Sequence, residues 1–434
     1  MDIRFVRENI ELFKKTIKDK SMDLDLDRLL ELDEKRRQLM TSLQDFNEKK
    51  NKASKEIPKM SAEEKKIKIA EMKKIDLEAD KVKEALQKIS GEYDSLMLIV
   101  PNIPSAETPV GPDERSNREL LKWGKLPEFD FKPKSHIELG LAHDLLDLDR
   151  GVKVSGFRGY YLKNEGVTMQ LGILMYSLNK LVKKGFTPMI PPTLVRDFVL
   201  VGSGHFPFGK DEIYQIGNPH RLKDQEEKDE AKETMYLAGT SEPSLLAYHS
   251  GEILEEKDLP KRYCGFSPCY RSEVGSYGKD TKGIYRIHEF MKVEQVVFCR
   301  ADVEEMMKLS KELEEISREI LEDLQLPYRV IINATGDQGA GKYEMHDIET
   351  WMPSREGYGE THSNSALTDW QARRLNIRYK DKRGDLRYVY TLNNTAIASP
   401  RILIAIWENY QQKDGSLAVP KALQDYVGKK VIKN

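Results

Sequence analysis

The sequence predicts an α+β protein, in which an N-terminal antiparallel α-helical hairpin precedes an antiparallel β-sheet flanked by helices. Two observations support this prediction. From residue 26 to residue 99, Lys, Glu, Asp and Leu dominate, and Pro58 and Gly91 are the only Pro and Gly, a composition typical of long surface helices. Beyond residue 112, runs of alternating polarity such as RGYYL and YRVIINA are separated by helical stretches. This order favours an antiparallel sheet with helices over repeated βαβ units.

The composition limits the possible functions. With 434 residues, 39% of them hydrophobic, the chain can build more than one domain and a substantial core. The charged residues nearly cancel, at a formal net charge of −2, so a site for a polyanion must be a local patch. The N-terminus lacks an apolar signal core and no apolar run reaches membrane-spanning length. We therefore expect a cytoplasmic protein without a membrane partner.

The three cysteines are an odd number without the paired spacing of a zinc site. They are Cys264, Cys269 and Cys299. We expect reduced thiols in the core and no disulfide.

The first hundred residues predict two helices joined by a tight turn. Apolar residues such as Leu32 and Leu39 recur at helical spacing. Ser61 is followed three residues later by Glu64, the pattern of a capping box that starts a second helix. The two helices would form a coiled-coil arm over about residues 27–97, roughly 45 Å long at 1.5 Å per residue.

The arm has two interpretations. A Lys/Glu-rich coiled coil is commonly a solvated spacer or a dimerisation element. Clustered lysines at the distal end would instead favour contact with phosphate groups. The lysines in question are Lys49, Lys50, Lys52, Lys55 and Lys59.

Four prolines between residues 101 and 112 exclude a helix and indicate an extended linker. We therefore predict an N-terminal domain over residues 1–105 and a second domain over residues 106–434.

The stretch CYRSEVGSYGKDTKGIYRIHEFMKVEQVVFC, residues 269–299, predicts two strands joined by a glycine-rich loop. From Ile284 to Val296 the residues alternate with period two. One face is polar with a single aromatic ring and consists of Arg286, His288, Phe290, Lys292 and Glu294. Such a face suits a ligand with a polar ring and charges. An exposed amphipathic hairpin with cross-strand Arg/Glu pairs would show the same pattern.

A second candidate region is YVYTLNNTAIASPRILIAIWENYQQ near the C-terminus. Ser399 and Pro400 are typical of an N-cap and a first helical residue, and the helix that follows is apolar almost all round, hence buried. Arg401 then lies in the first turn, where the helix dipole disfavours a cation. We therefore expect an anionic group beside Arg401, either a carboxylate of the protein or a bound phosphate.

Together these motifs resemble those of class II aminoacyl-tRNA synthetases. YRSE, the glycine-rich loop and RIHEFMKVEQ resemble motif 2, the segment that ends in Arg401 resembles motif 3, and KKGFTPMIPPTLV resembles motif 1. The hairpin, VPNIP, PVGPDERSN, PKSHIELG, GTSEPSL, TDWQARRLNIRY and LNNTAIASPR resemble, in this order, the bacterial-type seryl-tRNA synthetase family. The resemblance covers nearly the whole chain and implies that residues 106–434 form the class II catalytic domain.

The resemblance implies a serine-specific, ATP-dependent ligase that makes seryl-adenylate and pyrophosphate and then transfers the seryl group to tRNA. The implied catalytic residues are Arg271, Glu294 and Arg401. The implied serine-binding residues are Thr240, Ser241, Glu242, Arg271, Glu294, Asn393 and Thr395. The implied ATP-binding residues are Arg271, Ser272, Glu273, Phe290, Glu360, Thr361, His362, Ser363 and Arg401. Two of these, Glu360 and Ser363, would bind Mg²⁺ through hard oxygen atoms.

The implied partners are tRNA(Ser), tRNA(Sec) where an organism has one, and a second copy of the chain bound through motif 1. Two alternatives remain open: a ligase that loads an amino acid onto a carrier protein, and a catalytically altered paralogue that acts as a tRNA-binding scaffold. The basic arm argues against the first. The second would be expected to lose charges at the phosphate positions, yet Arg271 and Arg401 are both present.

Overall fold

The computed structural model describes residues 1–217, 234–274 and 282–433, which divide into two compact units, Met1–Ile103 and Pro104–Asn434. The helices are α1 (Ile3–Glu8), α2 (Ile10–Asp19), α3 (Leu26–Glu56), α4 (Ala62–Ile99), α5 (His136–Ala142), α6 (Leu148–Ser155), α7 (Glu165–Lys183), α8 (Asp197–Ser203), α9 (Glu242–Ala247), α10 (Val303–Asp323), α11 (Trp370–Leu375), α12 (Arg401–Asn409) and α13 (Gln424–Val427). Short 3₁₀ turns lie at Ile57–Lys59, Glu114–Ser116, Lys210–Glu212, Glu256–Asp258, Pro353–Arg355 and Lys421–Leu423.

The N-terminal unit confirms the predicted helical hairpin. Helix α4 begins with the capping box of Ser61 and Glu64, in which each side chain bonds to the backbone of the other residue. Ion pairs join Lys50 of α3 to Asp76 of α4 at 2.5 Å and Arg28 of α3 to Glu92 of α4 at 2.7 Å, so the two helices are antiparallel. The proximal end has its own core of Val6, Phe13, Leu24, Leu26, Leu29, Leu32, Tyr93 and Val100.

The second unit confirms the predicted antiparallel sheet. The strands are β1 (Arg118–Trp123), β2 (Leu146–Asp147), β3 (Tyr161–Leu162), β4 (Thr187–Met189), β5 (Leu194–Arg196), β6 (Gln215–Ile216), β7 (Met235–Leu237), β8 (Ile253–Glu255), β9 (Lys261–Tyr270), β10 (Glu289–Cys299), β11 (Tyr328–Ile332), β12 (Glu344–Met352), β13 (Gly357–Ala366), β14 (Arg378–Lys380), β15 (Leu386–Tyr388), β16 (Tyr390–Ser399), β17 (Leu417–Ala418) and β18 (Val431–Ile432). Eight of them form one sheet in the order β1-β11-β12-β13-β16-β10-β9-β4. Neighbours are antiparallel except for β4 and β9.

Helices α7, α10 and α12 pack on this sheet and supply much of the core. Helix α12 is buried along most of its length, from Ile402 to Glu408, as its apolar sequence predicts. The three cysteines are buried and free, which confirms the prediction of core thiols. No described helix is long and apolar enough to cross a membrane.

Two local predictions are wrong. Strand β10 begins only at Glu289, so Arg286 and His288 precede the alternating face instead of lying on it. Ser399 is not an N-cap: its hydroxyl donates to Gln170, and α12 begins at Arg401 without a side-chain cap. The glycine-rich loop between the two strands falls largely on residues 275–281, outside the described residues.

A partly buried histidine links α10 to the sheet. His346 Nδ1 lies 2.7 Å from Glu314 of α10, and Nε2 lies 3.1 Å from Glu344 of β12. Burial alone would lower the pKa of His346, but hydrogen bonds to Glu314 and Glu344 outweigh it and raise the pKa to about 9. The imidazolium form therefore predominates at neutral pH in the folded protein.

We expect His346→Gln to destabilise the protein in a pH-dependent way. Because the folded-state pKa of about 9 exceeds the ordinary value, the stabilisation is complete below about pH 6.5. It declines as pH rises through 9. Urea unfolding should show a loss of about 3 kcal/mol at pH 6 and a much smaller loss at pH 9.5. A loss that does not change with pH would mean that the two carboxylates do not hold the charged ring.

Candidate active site

A cleft opens on the sheet where β9, β10, β13 and β16 lie side by side. It encloses about 510 Å³, part of it open to solvent. Its walls are Arg271, Glu273, Tyr285, Ile287, Phe290, Lys292, Glu360, Thr361, His362, Ser363, Thr395, Ala398, Ser399, Pro400 and Arg401. The three cationic side chains among them and the two carboxylates suit a ligand that carries several negative charges.

Strand β10 supplies the floor of the cleft. Phe290, Lys292 and Glu294 alternate along one face, as the sequence predicts. Lys292 Nζ lies 2.6 Å from Glu294 Oε2, and both side chains are about 95% buried. Burial raises the pKa of the Glu294 carboxyl, and the ammonium of Lys292 opposes that shift.

Two β-bulges bring residues three positions apart onto the same face of their strands. Thr361 is an extra residue in β13 against β12, so Glu360 and Ser363, three positions apart, both face the cleft. Ala396 is an extra residue in β16 against β10. In the same way, Thr395 and Ala398 both reach the cleft, and Thr395 Oγ1 donates to Glu294 Oε2 at 3.3 Å.

Arg401 meets a carboxylate, as its place in the first turn of α12 predicts. Its Nη1 lies 3.2 Å from Glu360 Oε2, and its Nε donates to the Tyr285 carbonyl at 3.0 Å. Burial would raise the pKa of the Glu360 carboxyl, but Arg401, Arg271 and Arg286 outweigh it and lower the pKa. The ring of Tyr285 contacts two guanidinium groups, those of Arg401 at 4.4 Å and Arg355 at 4.3 Å.

Arg271 and Glu273 follow β9 at the rim of the cleft. The guanidinium of Arg271 lies 5.3 Å from the centre of the Phe290 ring. Glu273 Oε2 accepts hydrogen bonds from Arg158 at 3.4 Å and Arg286 at 3.3 Å. The aromatic ring, the arginine and the carboxylate predicted for ATP are therefore neighbours.

The residues predicted for serine form a buried network beside this floor. Glu242 Oε1 accepts from Asn393 at 2.9 Å and from Gln371 at 2.7 Å, and the Glu242 amide donates to Thr240 Oγ1 at 3.3 Å. Burial would raise the pKa of the Glu242 carboxyl, but Lys342 and the neighbouring donors outweigh it and lower the pKa. The network therefore holds an anionic Glu242.

Two predicted site residues point elsewhere. The Ser241 hydroxyl donates to the Gly265 carbonyl at 3.5 Å, and the Ser272 hydroxyl donates to the Asp211 carbonyl at 2.6 Å. Thr361 and His362 do line the cleft. His362 Nδ1 lies 2.8 Å from Thr361 Oγ1, and burial lowers the pKa of His362 to about 4, so the ring is neutral at pH 7.

The structure adds residues that the predicted set lacks. Tyr285, Ile287 and Lys292 line the cleft. Lys292 belongs to the polar face that the alternation in the sequence predicts, a signal that places it beside a ligand without giving it a role in the predicted set. Gln371, fully buried and bonded to Glu242, has no comparable signal because it approaches from a separate helix.

The predicted magnesium ligands fit that ion in part. Glu360 and Ser363 supply hard oxygen atoms on one face, while no group of three or more His, Cys, Asp or Glu suited to a metal occurs among the described residues. Mg²⁺ commonly takes one or two carboxylates and completes its shell with water and substrate phosphates. The site is therefore suited to an ion that arrives with a phosphate ligand.

Comparison with known proteins agrees with this geometry. Residues 1–104 match the family model "Seryl-tRNA synthetase N-terminal domain", and residues 222–410 match "tRNA synthetase class II core domain (G, H, P, S and T)". The serine–tRNA ligase of Deinococcus radiodurans is 42% identical, over 99% of this chain and 97% of its own.

Solved structures extend the match to the fold. Seryl-tRNA synthetase from Pyrococcus horikoshii, complexed with ATP, has a TM-score of 0.89 and 37% identity over 100% of this chain and 99% of its own. The cytoplasmic serine–tRNA ligase of Naegleria fowleri, in complex with AMP, has a TM-score of 0.84 and 30% identity over 98% and 96% of the two chains. On these matches the chain belongs to the seryl-tRNA synthetase family of class II aminoacyl-tRNA synthetases.

Proposed function

We propose that the chain activates L-serine with ATP to form seryl-adenylate and pyrophosphate, and then transfers the seryl group to tRNA(Ser), and to tRNA(Sec) where an organism has one. The observation that carries this proposal is that one cleft is lined by an aromatic ring, two arginines and a threonine hydroxyl, and that this hydroxyl donates to the buried carboxylate of Glu294. These groups suit adenine, phosphates, and the ammonium and hydroxyl groups of serine.

The first step needs charge neutralisation and alignment more than proton transfer. The serine carboxylate is already ionised, and it attacks the α-phosphorus of an anionic nucleotide. Arg271 would hold the serine carboxylate against the α-phosphate, and Arg401 would hold the γ-phosphate, because a planar guanidinium binds such groups bidentately. Phe290 would stack on adenine and Glu273 would accept from its amino group. Mg²⁺ bound by Glu360 and Ser363 would neutralise phosphate charge.

Serine would bind at the deep end of the floor. Glu294 and Glu242 would accept hydrogen bonds from its ammonium, and Thr395, Thr240 and Asn393 would orient its polar groups. A buried site built to pair with a hydroxyl rejects alanine, because the site's own polar atoms would be left unpaired. Ser241 and Ser272, whose hydroxyls bond to backbone carbonyls, would shape the site through their backbone.

Two surfaces of the molecule support the proposed partners, tRNA and a second copy of the chain. The arm, α3 and α4, carries lysines around its turn and would bind the tRNA backbone, which is how A-form helices are commonly recognised. The motif 1 segment exposes Ile190 and Leu194, which are 82% and 47% exposed, and helix α7, which leads into it, exposes Val167, Leu171 and Met175 at successive turns. These apolar side chains suit a homodimer through motif 1. We place the reaction in the cytoplasm, where three buried free thiols stay reduced.

Amino-acid-dependent ATP–pyrophosphate exchange tests this function, with Thr395→Ala as the diagnostic variant. The wild type should respond to serine among the standard amino acids. Thr395→Ala should lower kcat/KM for serine by about 100-fold, because Glu294 and the serine hydroxyl each lose a buried partner. The KM for ATP should change less than about threefold, since Thr395 lies at the serine end of the cleft.

Thr335→Ala is the matched control. Thr335 is 1% exposed and its hydroxyl bonds to the backbone of Gly111, away from the cleft. Its replacement should therefore change neither kcat/KM for serine nor the KM for ATP. Equal losses for serine and ATP in Thr395→Ala would remove Thr395 from the serine site. No exchange with any amino acid from folded wild type would favour the alternative of a catalytically altered paralogue.

A further inference from the structure

We propose that Lys292 is a catalytic residue of the activation step, binding the carboxylate of serine while Glu294 binds its ammonium. This inference rests on the proposed function and adds a cation that the predicted set of site residues lacks. The two arginines approach from the rim and from α12, whereas Lys292 rises from the floor of the cleft.

The position of Lys292 on β10 is the first support. Phe290, Lys292 and Glu294 share one face, and at about 3.3 Å per residue the outer two are roughly 13 Å apart. If Phe290 faces adenine and Glu294 faces the serine ammonium, Lys292 lies halfway between them. The α-phosphate and the attacking carboxylate meet in that interval.

The charge balance around Glu294 is the second support. Glu294 Oε2 already accepts from Lys292 Nζ at 2.6 Å and from Thr395 Oγ1 at 3.3 Å. Both charged side chains are about 95% buried, so a second ammonium at the same carboxylate would repel the first strongly. Serine itself supplies the compensating negative charge, because its carboxylate and its ammonium are bonded to the same carbon. Lys292 can therefore turn from Glu294 to that carboxylate as serine binds.

The reaction then balances without a proton transfer. One oxygen of the serine carboxylate forms a bond to the α-phosphorus, the bond from that phosphorus to the bridging oxygen breaks, and pyrophosphate leaves with the electron pair. The Lys292 ammonium keeps its protons and holds the other carboxylate oxygen. This contact fixes the direction of attack and offsets the repulsion between the carboxylate and the phosphate.

The test compares serine with L-serinamide, which has the ammonium and hydroxyl groups but no carboxylate. In Lys292→Gln, kcat/KM for serine in pyrophosphate exchange should fall about 100-fold. The inhibition constant of serinamide should rise much less. The preference for serine over serinamide, which is kcat/KM for serine multiplied by the inhibition constant of serinamide, should therefore fall at least tenfold. Lys292→Arg, which keeps the charge, should recover most of that preference. Equal losses for serine and serinamide would overturn the proposal, because Lys292 would then serve only Glu294.

Two further measurements keep the test decisive. Lys311→Met removes an exposed lysine of α10 and should change neither kcat/KM for serine nor the inhibition constant of serinamide. If Lys292→Gln fails to fold because Glu294 is left as an unpaired buried charge, Glu294→Gln and the double variant Lys292→Gln/Glu294→Gln replace it. Glu294→Gln should still prefer serine to serinamide, whereas the double variant should not. Equal preferences in Glu294→Gln and the double variant would overturn the proposal. Failure of the proposed function is separate, since it would appear as absent exchange in the wild type.

Discussion

Arg271→Ala should lower kcat/KM for serine-dependent pyrophosphate exchange by about 10³-fold, the largest single-residue effect we expect in this protein. The guanidinium lies over Phe290, at the rim of the cleft, and its Nε is anchored on the Gly239 carbonyl at 3.4 Å. This places the planar fork where the serine carboxylate and the α-phosphate would meet. Without it, the two anions would approach each other with one cation fewer to offset their repulsion.

The fork matters as well as the charge. Arg271→Lys should be less than about tenfold more active than Arg271→Ala, because an ammonium cannot bind two anionic groups in one plane. Arg262 is a matched control on the same strand, since its guanidinium is paired with Glu312 at 2.5 Å and 3.0 Å. Arg262→Ala should keep exchange within about threefold of the wild type. Similar losses in Arg262→Ala and Arg271→Ala would show a general loss of structure and refute the assigned role.

The parts of the fold that follow from local sequence were predictable. The capping box of Ser61 and Glu64 marks the start of α4, and the apolar sequence after Arg401 marks a buried helix. Both signals act over a few residues and need no knowledge of the tertiary structure. The alternation at Phe290, Lys292 and Glu294 is of the same kind, because a regular strand fixes which side chains share a face.

The finer geometry of the site depends on contacts between distant segments. A bulge at Thr361 reverses the alternation of β13, and only this reversal brings Glu360 and Ser363 together. Their roles could be transferred from the family resemblance, but strand periodicity alone would put them on opposite faces. Ser399 differs from its prediction for a similar reason. The pattern before α12 predicts an N-cap, but the Ser399 hydroxyl donates to the side chain of Gln170 on α7 instead. Tertiary partners decided both cases.

Shortening the arm should separate the two half-reactions. The structure shows where to cut: Leu29, Leu32 and Tyr93 belong to the core of the N-terminal unit, so a deletion should spare them. Removing residues 41–84 and closing the gap with a short Gly-Ser turn keeps that core. Serine-dependent pyrophosphate exchange should stay within about threefold of the wild type, since all cleft residues lie in Pro104–Asn434. Aminoacylation of tRNA(Ser) should fall about 100-fold or more, because the phosphate contacts of the arm are lost.

Salt dependence distinguishes a tRNA-binding arm from a spacer. In the full-length chain, replacing Lys49, Lys52, Lys55 and Lys59 with Gln should weaken tRNA binding. The replacement should also flatten the slope of log K against log salt by about 0.7 to 0.9 for each phosphate contact removed. The capping box of Ser61 and the pair between Lys50 and Asp76 are untouched, so the hairpin should keep its helicity by circular dichroism. A shortened arm that still supports full aminoacylation, together with an unchanged salt slope, would make the arm a spacer or dimerisation element and leave tRNA binding to the catalytic unit.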